Sequence, residues 1–109
     1  MTKTVEIGGK KVRMRVNARI PYDYMECFGD DLITILQSAA DIVVYSRLAW
    51  LFARAGGEKV YDELPADEAV KKWLERFDDM HSIYAAIPDI TLLWLANNRT
   101  LSTPKKKRE

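Results

Sequence analysis

At 109 residues, with 48% hydrophobic and 30% charged side chains, the chain has room for one packed domain and too much apolar content to stay disordered. Its one cysteine, Cys27, excludes an intramolecular disulfide, and no apolar run reaches the ~18 residues that span a bilayer, so a cytoplasmic protein is expected. The net charge of +1 conceals a segregation: residues 1–20 set six basic side chains against Glu6 alone, residues 21–99 set seven against fourteen acidic ones, and the last ten set four against Glu109. An acidic body between basic ends is a poor general nucleic-acid binder.

The chain opens with alternation. Val5 and Ile7 precede Gly8-Gly9, and Val12, Met14 and Val16 follow with Lys11, Arg13 and Arg15 between them. Two period-2 runs flanking Gly-Gly predict a β-hairpin over residues 4–16, because glycine accepts the positive φ of a tight primed turn. No P-loop spacing accompanies the glycines. Ile20-Pro21 then starts a short helix through Phe28, proline being well placed in a first helical turn, and Gly29 stops it. Asp30 or Asp31 caps the next helix, which carries Leu32, Ile33, Ile35 and Leu36.

Residues 42–55, IVVYSRLAWLFARA, are apolar at 11 of 14 positions and end at Gly56-Gly57. With only Ser46, Arg47 and Arg54 polar, this helix has no solvent face of its own, and it is expected at the centre of the fold or in a subunit contact. After a connection through Leu64-Pro65, Asp67 is expected to cap an amphipathic helix with Val70, Trp73, Leu74 and Phe77 on one side. Asp78 or Asp79 restarts the chain as a helix bearing Met80, Ile83, Tyr84 and Ile87, which Pro88 breaks or restarts. Ile90, Leu92, Leu93, Trp94 and Leu95 form a last apolar helix. The expected architecture is mostly α with a short N-terminal β-hairpin, a small α+β fold of five to six helices. A single globular domain covers 1–97, its helical body 20–97, and 98–109 form a flexible basic tail.

Candidate chemistry is sparse. A nucleophilic pair of Cys27 and His81 needs a third, orienting group that the sequence does not supply, and one His with one Cys cannot make a metal site. The Asp30-Asp31 and Asp78-Asp79 pairs are adjacent on helices, so their carboxylates point apart, and capping explains them. The run Lys105–Lys107 is too short for a nucleic-acid patch. No catalytic residue, cofactor or metal is therefore expected. Two almost wholly apolar helices in so small a domain do leave more apolar surface than one core covers, which favours self-association or capture of an apolar helix.

The order of motifs carries a resemblance. A basic hairpin is followed by Pro21, Tyr22, Tyr24 and the Phe28-Gly29-Asp30-Asp31 junction, then an aromatic helix. Trp73-Leu74 with Phe77, the Ile83-Tyr84 to Pro88 segment, and a tail of Ser102-Thr103-Pro104-Lys105 come next. Over essentially the whole chain, apart from the Gly56-Gly57 loop and Leu64-Pro65, this resembles the tail assembly chaperones of long-tailed (siphovirus-type) phages and prophages of Gram-positive bacteria. The resemblance implies a non-enzymatic role in virion morphogenesis in the host cytoplasm. Such a protein binds the long helical tape measure protein, keeps it soluble, helps recruit tail tube subunits, and is absent from the mature particle. Ile83, Ile87, Ile90 and Trp94 are the expected client-binding residues, with Trp50 and Phe52 next. It also implies a longer form made by programmed −1 frameshifting, through which the tail tube protein would be met. Lys105–Lys107, encoded by AAA or AAG codons, can supply the slippery run.

Two other readings compete. A structural head–tail connector or tail terminator would be equally small and would remain in purified virions. A small helical DNA-binding regulator would need a basic recognition helix, whereas these helices are acidic or apolar save for Arg47 and Arg54.

Overall fold

The strands β1 (Thr2–Ile7) and β2 (Lys10–Arg15) pair antiparallel, with Val5 opposite Val12 and Ile7 opposite Lys10. Gly8 and Gly9 between them have φ of 57° and 81°, the two left-handed residues that a type I′ turn requires. In this computed structural model, residues 2–38, 40–79 and 81–107 are described, with side chains up to residue 96. The alternation works as the sequence implies. Val5, Ile7, Val12 and Met14 face the core, while Thr4, Glu6, Lys11, Arg13 and Arg15 face solvent.

Among the described residues five helices follow: α1 (Ile20–Phe28), α2 (Leu32–Ser38), α3 (Ile42–Ala55), α4 (Ala66–Leu74) and α5 (His81–Lys107). Together with the hairpin they form one small α+β globule around a single hydrophobic cluster. Pro21 sits in the first turn of α1, and the Gly29 N–H closes that helix on the Met25 carbonyl at 2.8 Å. Asp31, not Asp30, serves α2, accepting from the Ile33 N–H and the Thr34 hydroxyl. Asp79 does the same before α5, accepting from the His81 N–H at 2.9 Å. Asp41 caps α3, with the Val43 and Val44 N–H groups on one carboxylate oxygen.

The structure departs from the sequence expectations in three places. Pro65, not Asp67, occupies the cap position of α4. Asp67 lies inside the first turn, where its charge suits the helix dipole and pairs with Arg47 at 3.2 Å. Pro88 does not break the last helix. It has no N–H for the Tyr84 carbonyl, but both residues are exposed, so water can satisfy that carbonyl and the helix passes through. Finally, the boundary at 97/98 is not a break in secondary structure. Residues 97–103 contain neither glycine nor proline, so the helix propagates, and its backbone continues α5 to Lys107. Met80, expected inside this helix, and Arg108 and Glu109 in the expected tail, lie outside the described residues.

Helix α3 is the central element, as its composition requires. It packs against β2, α5, α1 and α4, while β1 rests on α5. Leu48, Ala49, Trp50, Leu51, Phe52 and Ala53 are all buried. The Trp50 indole N–H donates to the Val60 carbonyl at 2.9 Å, which fixes the connection after α3. At that connection Gly56 presses on β2. A Cβ there would lie 2.8 Å from the Arg13 carbonyl carbon, closer than nonbonded carbons approach. Two residues on, the Glu58 carboxylate accepts the Arg13 backbone N–H at 2.7 Å.

Candidate partner-binding site

Helix α5 is apolar on two sides. Between His81 and Ala96 its only formal charge is Asp89. A helix with so few charges buries one face in its own domain and still has an apolar face left over. The inward face carries Ile83, Ala86, Ile90, Leu93 and Trp94, all buried. The outward face carries Tyr84 at 50%, Leu92 at 59% and Leu95 at 49% exposure, with exposed Pro88 between them. Positions 84, 88, 92 and 95 follow one another at four- and three-residue steps, so they form a continuous stripe.

Most of the residues expected to bind a client lie in the core. Ile83, Ile90 and Trp94 are core residues of α5, and Trp50 and Phe52 are core residues of α3. Ile87 is half-buried at the border. Both sides of α5 are apolar, and periodicity alone does not say which one meets the domain. The clue was Asp89: a helix places its rare charge away from the core.

Beside the stripe, α2, α3 and α5 enclose a groove of about 180 Å³. Buried Leu48, Ile90 and Trp94 and the half-buried Leu36 and Tyr45 line it, and exposed Leu95 belongs both to the groove and to the stripe. Among the described residues, no carboxylate, lysine or arginine borders it. Two further hollows, of about 370 and 290 Å³, share Ile42, Ser46 and Leu74 on the other flank of α3. The larger is bordered by Asp78 and Asp79 and suits a partner with basic side chains, whereas the smaller is bordered by Arg47 and Lys71 as well as Asp67 and carries both signs.

Arg47 ties this region together. Its guanidinium lies 4.6 Å from the Phe28 ring centroid, donates to the Tyr24 hydroxyl at 3.5 Å and reaches Asp67. Burial works against its charge, but the bonds to Tyr24 and Asp67 outweigh that, and its pKa is raised. It joins α1, α3 and α4 and is a structural cation, not one presented to a nucleic acid. Cys27 and His81 keep separate company: the thiol accepts from Arg54 at 3.7 Å, and the imidazole lies 6.2 Å from the Tyr84 ring. Among the described residues, no group of three or more His, Cys, Asp or Glu is gathered to hold a metal ion, and no helix is long and apolar enough to cross a membrane. Comparison with family models, curated proteins and solved structures finds no match.

Proposed function

We propose that this chain is a tail assembly chaperone of the long-tailed phage type, a non-catalytic protein that holds the helical tape measure protein soluble before the tail tube forms. The observation that carries the reading is the two-sided apolar character of α5. One side builds the core, and the other offers Tyr84, Leu92 and Leu95 to solvent beside an uncharged groove. An amphipathic client helix recognises such a surface by laying its own apolar stripe along it. Chemistry of that kind matches the motif order from Pro21 to Lys105. Leu36, Tyr45 and Leu95 at the groove, with Tyr84 on the stripe, are the contact residues on this reading. A −1 frameshifted form, extended past the Lys105–Lys107 codons, would carry the contact to tail tube subunits.

Co-expression with the cognate tape measure protein tests this directly. The wild-type chain is expected to move the client from the pellet to the supernatant. Tyr84→Asp with Leu95→Asp should keep the circular dichroism spectrum and lose that effect, since both side chains are about half exposed and their replacement leaves the core intact. A client that stays insoluble with the wild-type chain, or that is fully rescued by the folded double variant, refutes the assignment. Recovery of the chain in purified virions would instead favour a connector or terminator.

A further inference from the structure

The hairpin has two edges, and they are treated differently. A two-residue turn makes Ile7 and Lys10 a hydrogen-bonded pair, and hence also Val5–Val12 and Lys3–Met14. The backbone groups of Lys11, Arg13 and Arg15 therefore point outward from β2, and those of Thr2, Thr4 and Glu6 point outward from β1. On the β2 side the edge is blocked at its middle: Glu58 takes the Arg13 N–H, and Gly56 sits against the Arg13 carbonyl. On the β1 side, Thr2, Thr4 and Glu6 are exposed, and among the described residues their outward groups meet no partner. An open strand edge is a template for another strand.

The helical layer beneath is open on the same side. Ser82 of α5 faces the turn, with its hydroxyl oxygen 2.6 Å from where a Cβ on Gly8 would stand. Asp89, seven residues later, lies on the same line of the helix, and it is exposed. Its neighbours on the outward flank are Ala85 and Leu92, both exposed. The sheet and the helix layer thus end together, the one in unpaired backbone and the other in apolar surface. Unpaired charges of opposite sign also lie there. Lys3 on β1 and Asp89 on α5 have no ion-pair partner among the described residues.

We infer that a second copy of this chain covers the β1 edge and the Leu92 flank of α5, forming a closed two-fold dimer. Pairing β1 with the partner's β1 antiparallel about Thr4 sets Thr4 against Thr4 and Thr2 against Glu6. Each of these is a hydrogen-bonded pair, which makes about six new bonds. The two α5 helices then meet along Leu92 beneath a four-stranded sheet, and Lys3 of each copy lies toward Asp89 of the other. A second copy fits better than an unrelated strand because the surface is complementary to itself in backbone, in apolar area and in charge. Because the β2 edge is blocked, growth stops at two. This dimer shares Leu92 with the outward stripe but not Thr4, which the client reading does not use, and it leaves Leu36, Tyr45 and Leu95 at the groove free.

Sedimentation equilibrium on the full chain tests it. The wild-type mass is expected to double as concentration rises. Thr4→Pro removes an outward N–H that the β1–β2 ladder does not use, and Leu92→Asp charges the helix flank; each should give a monomer with an unchanged circular dichroism spectrum. On a Cys27→Ser background, Thr4→Cys should oxidise readily to a disulfide-linked dimer, since paired Cα atoms about 5.5 Å apart suit a disulfide, and Lys11→Cys should not. A monomer at every concentration overturns the inference, even if the edge accepts a strand from another protein. So does a dimer indifferent to both Thr4→Pro and Leu92→Asp, or an open-ended assembly. Dimer loss in Thr4→Pro with client solubility retained separates this interface from the client-binding surface.

Discussion

Replacing Gly56 by alanine perturbs the one place where the helical layer touches the hairpin backbone to backbone. Its φ of −80° suits any residue, so the cost is one of space. The added Cβ would stand 2.8 Å from the Arg13 carbonyl carbon and 3.1 Å from the Met14 Cα, where carbon atoms normally settle at about 3.5–4.0 Å. Neither neighbour is a flexible side chain that can swing away. The loop must therefore part from β2 by something near 1 Å, an overpacking cost of about 1–3 kcal/mol. The movement also stretches the Arg13–Glu58 hydrogen bond, adding about 1 kcal/mol. For a domain of this size each kcal/mol moves the melting temperature by about 4–8 °C, so a fall of roughly 10–20 °C is expected in thermal unfolding followed by circular dichroism. Gly57→Ala is the control. It has open space around it but a φ of 89°, so it should lose only the ~1–2 kcal/mol of a left-handed residue. A Gly56→Ala protein that melts no lower than Gly57→Ala refutes the close approach. The same displacement would unmask the β2 edge, so aggregation during the melt should rise in the Gly56 variant alone.

Two other substitutions test the core and the last helix. Trp50→Phe removes the indole N–H that satisfies the buried Val60 carbonyl and leaves a small void. It should cost about 2–4 kcal/mol, read as a lower urea midpoint with an unchanged slope; a midpoint within error of wild type would mean that water replaces the bond. Pro88→Ala restores an N–H to the Tyr84 carbonyl and should stabilise the chain by about 1–3 kcal/mol. A loss of stability there would show that α5 needs the proline's geometry and is not simply tolerating it.

Most of the fold was legible because local chemistry and packing agree. Gly8-Gly9 between two alternating runs specifies the hairpin, and an apolar run from Ile42 to Ala55 belongs at the centre of the fold or in a subunit contact, of which the structure shows the first. Disagreement arose where a local signal has more than one solution. Asp67 reads as a cap, but proline at residue 65 sets the chain direction two residues earlier, leaving the carboxylate free to meet Arg47. Pro88 reads as a stop, yet a proline halts a helix only when the freed carbonyl has no other partner, and here that carbonyl faces solvent. The Glu58–Arg13 bond across 45 residues has no local signature, and so the blocked β2 edge could not be foreseen.

Which face of α5 is buried was not legible from periodicity, and the placement bears on how α5 could meet a partner. Had Ile83, Ile90 and Trp94 been the contact surface, a partner would have to displace part of the core to bind, and affinity would come at the expense of folding. With those residues buried, the fold is complete without a partner, and the outward stripe is free to be engaged and released. Charge placement sharpens the division. Asp89 is set toward the β1 edge, where Lys3 can answer it, while the groove between α2, α3 and α5 has no charge at its border among the described residues. One nearly neutral helix can in this way serve three surfaces: a core toward α3, a polar-edged flank suited to a second copy, and an uncharged groove suited to an apolar client. Asp89→Lys separates them, since it should weaken self-association through Lys3 and leave both the melting temperature and the groove unaffected.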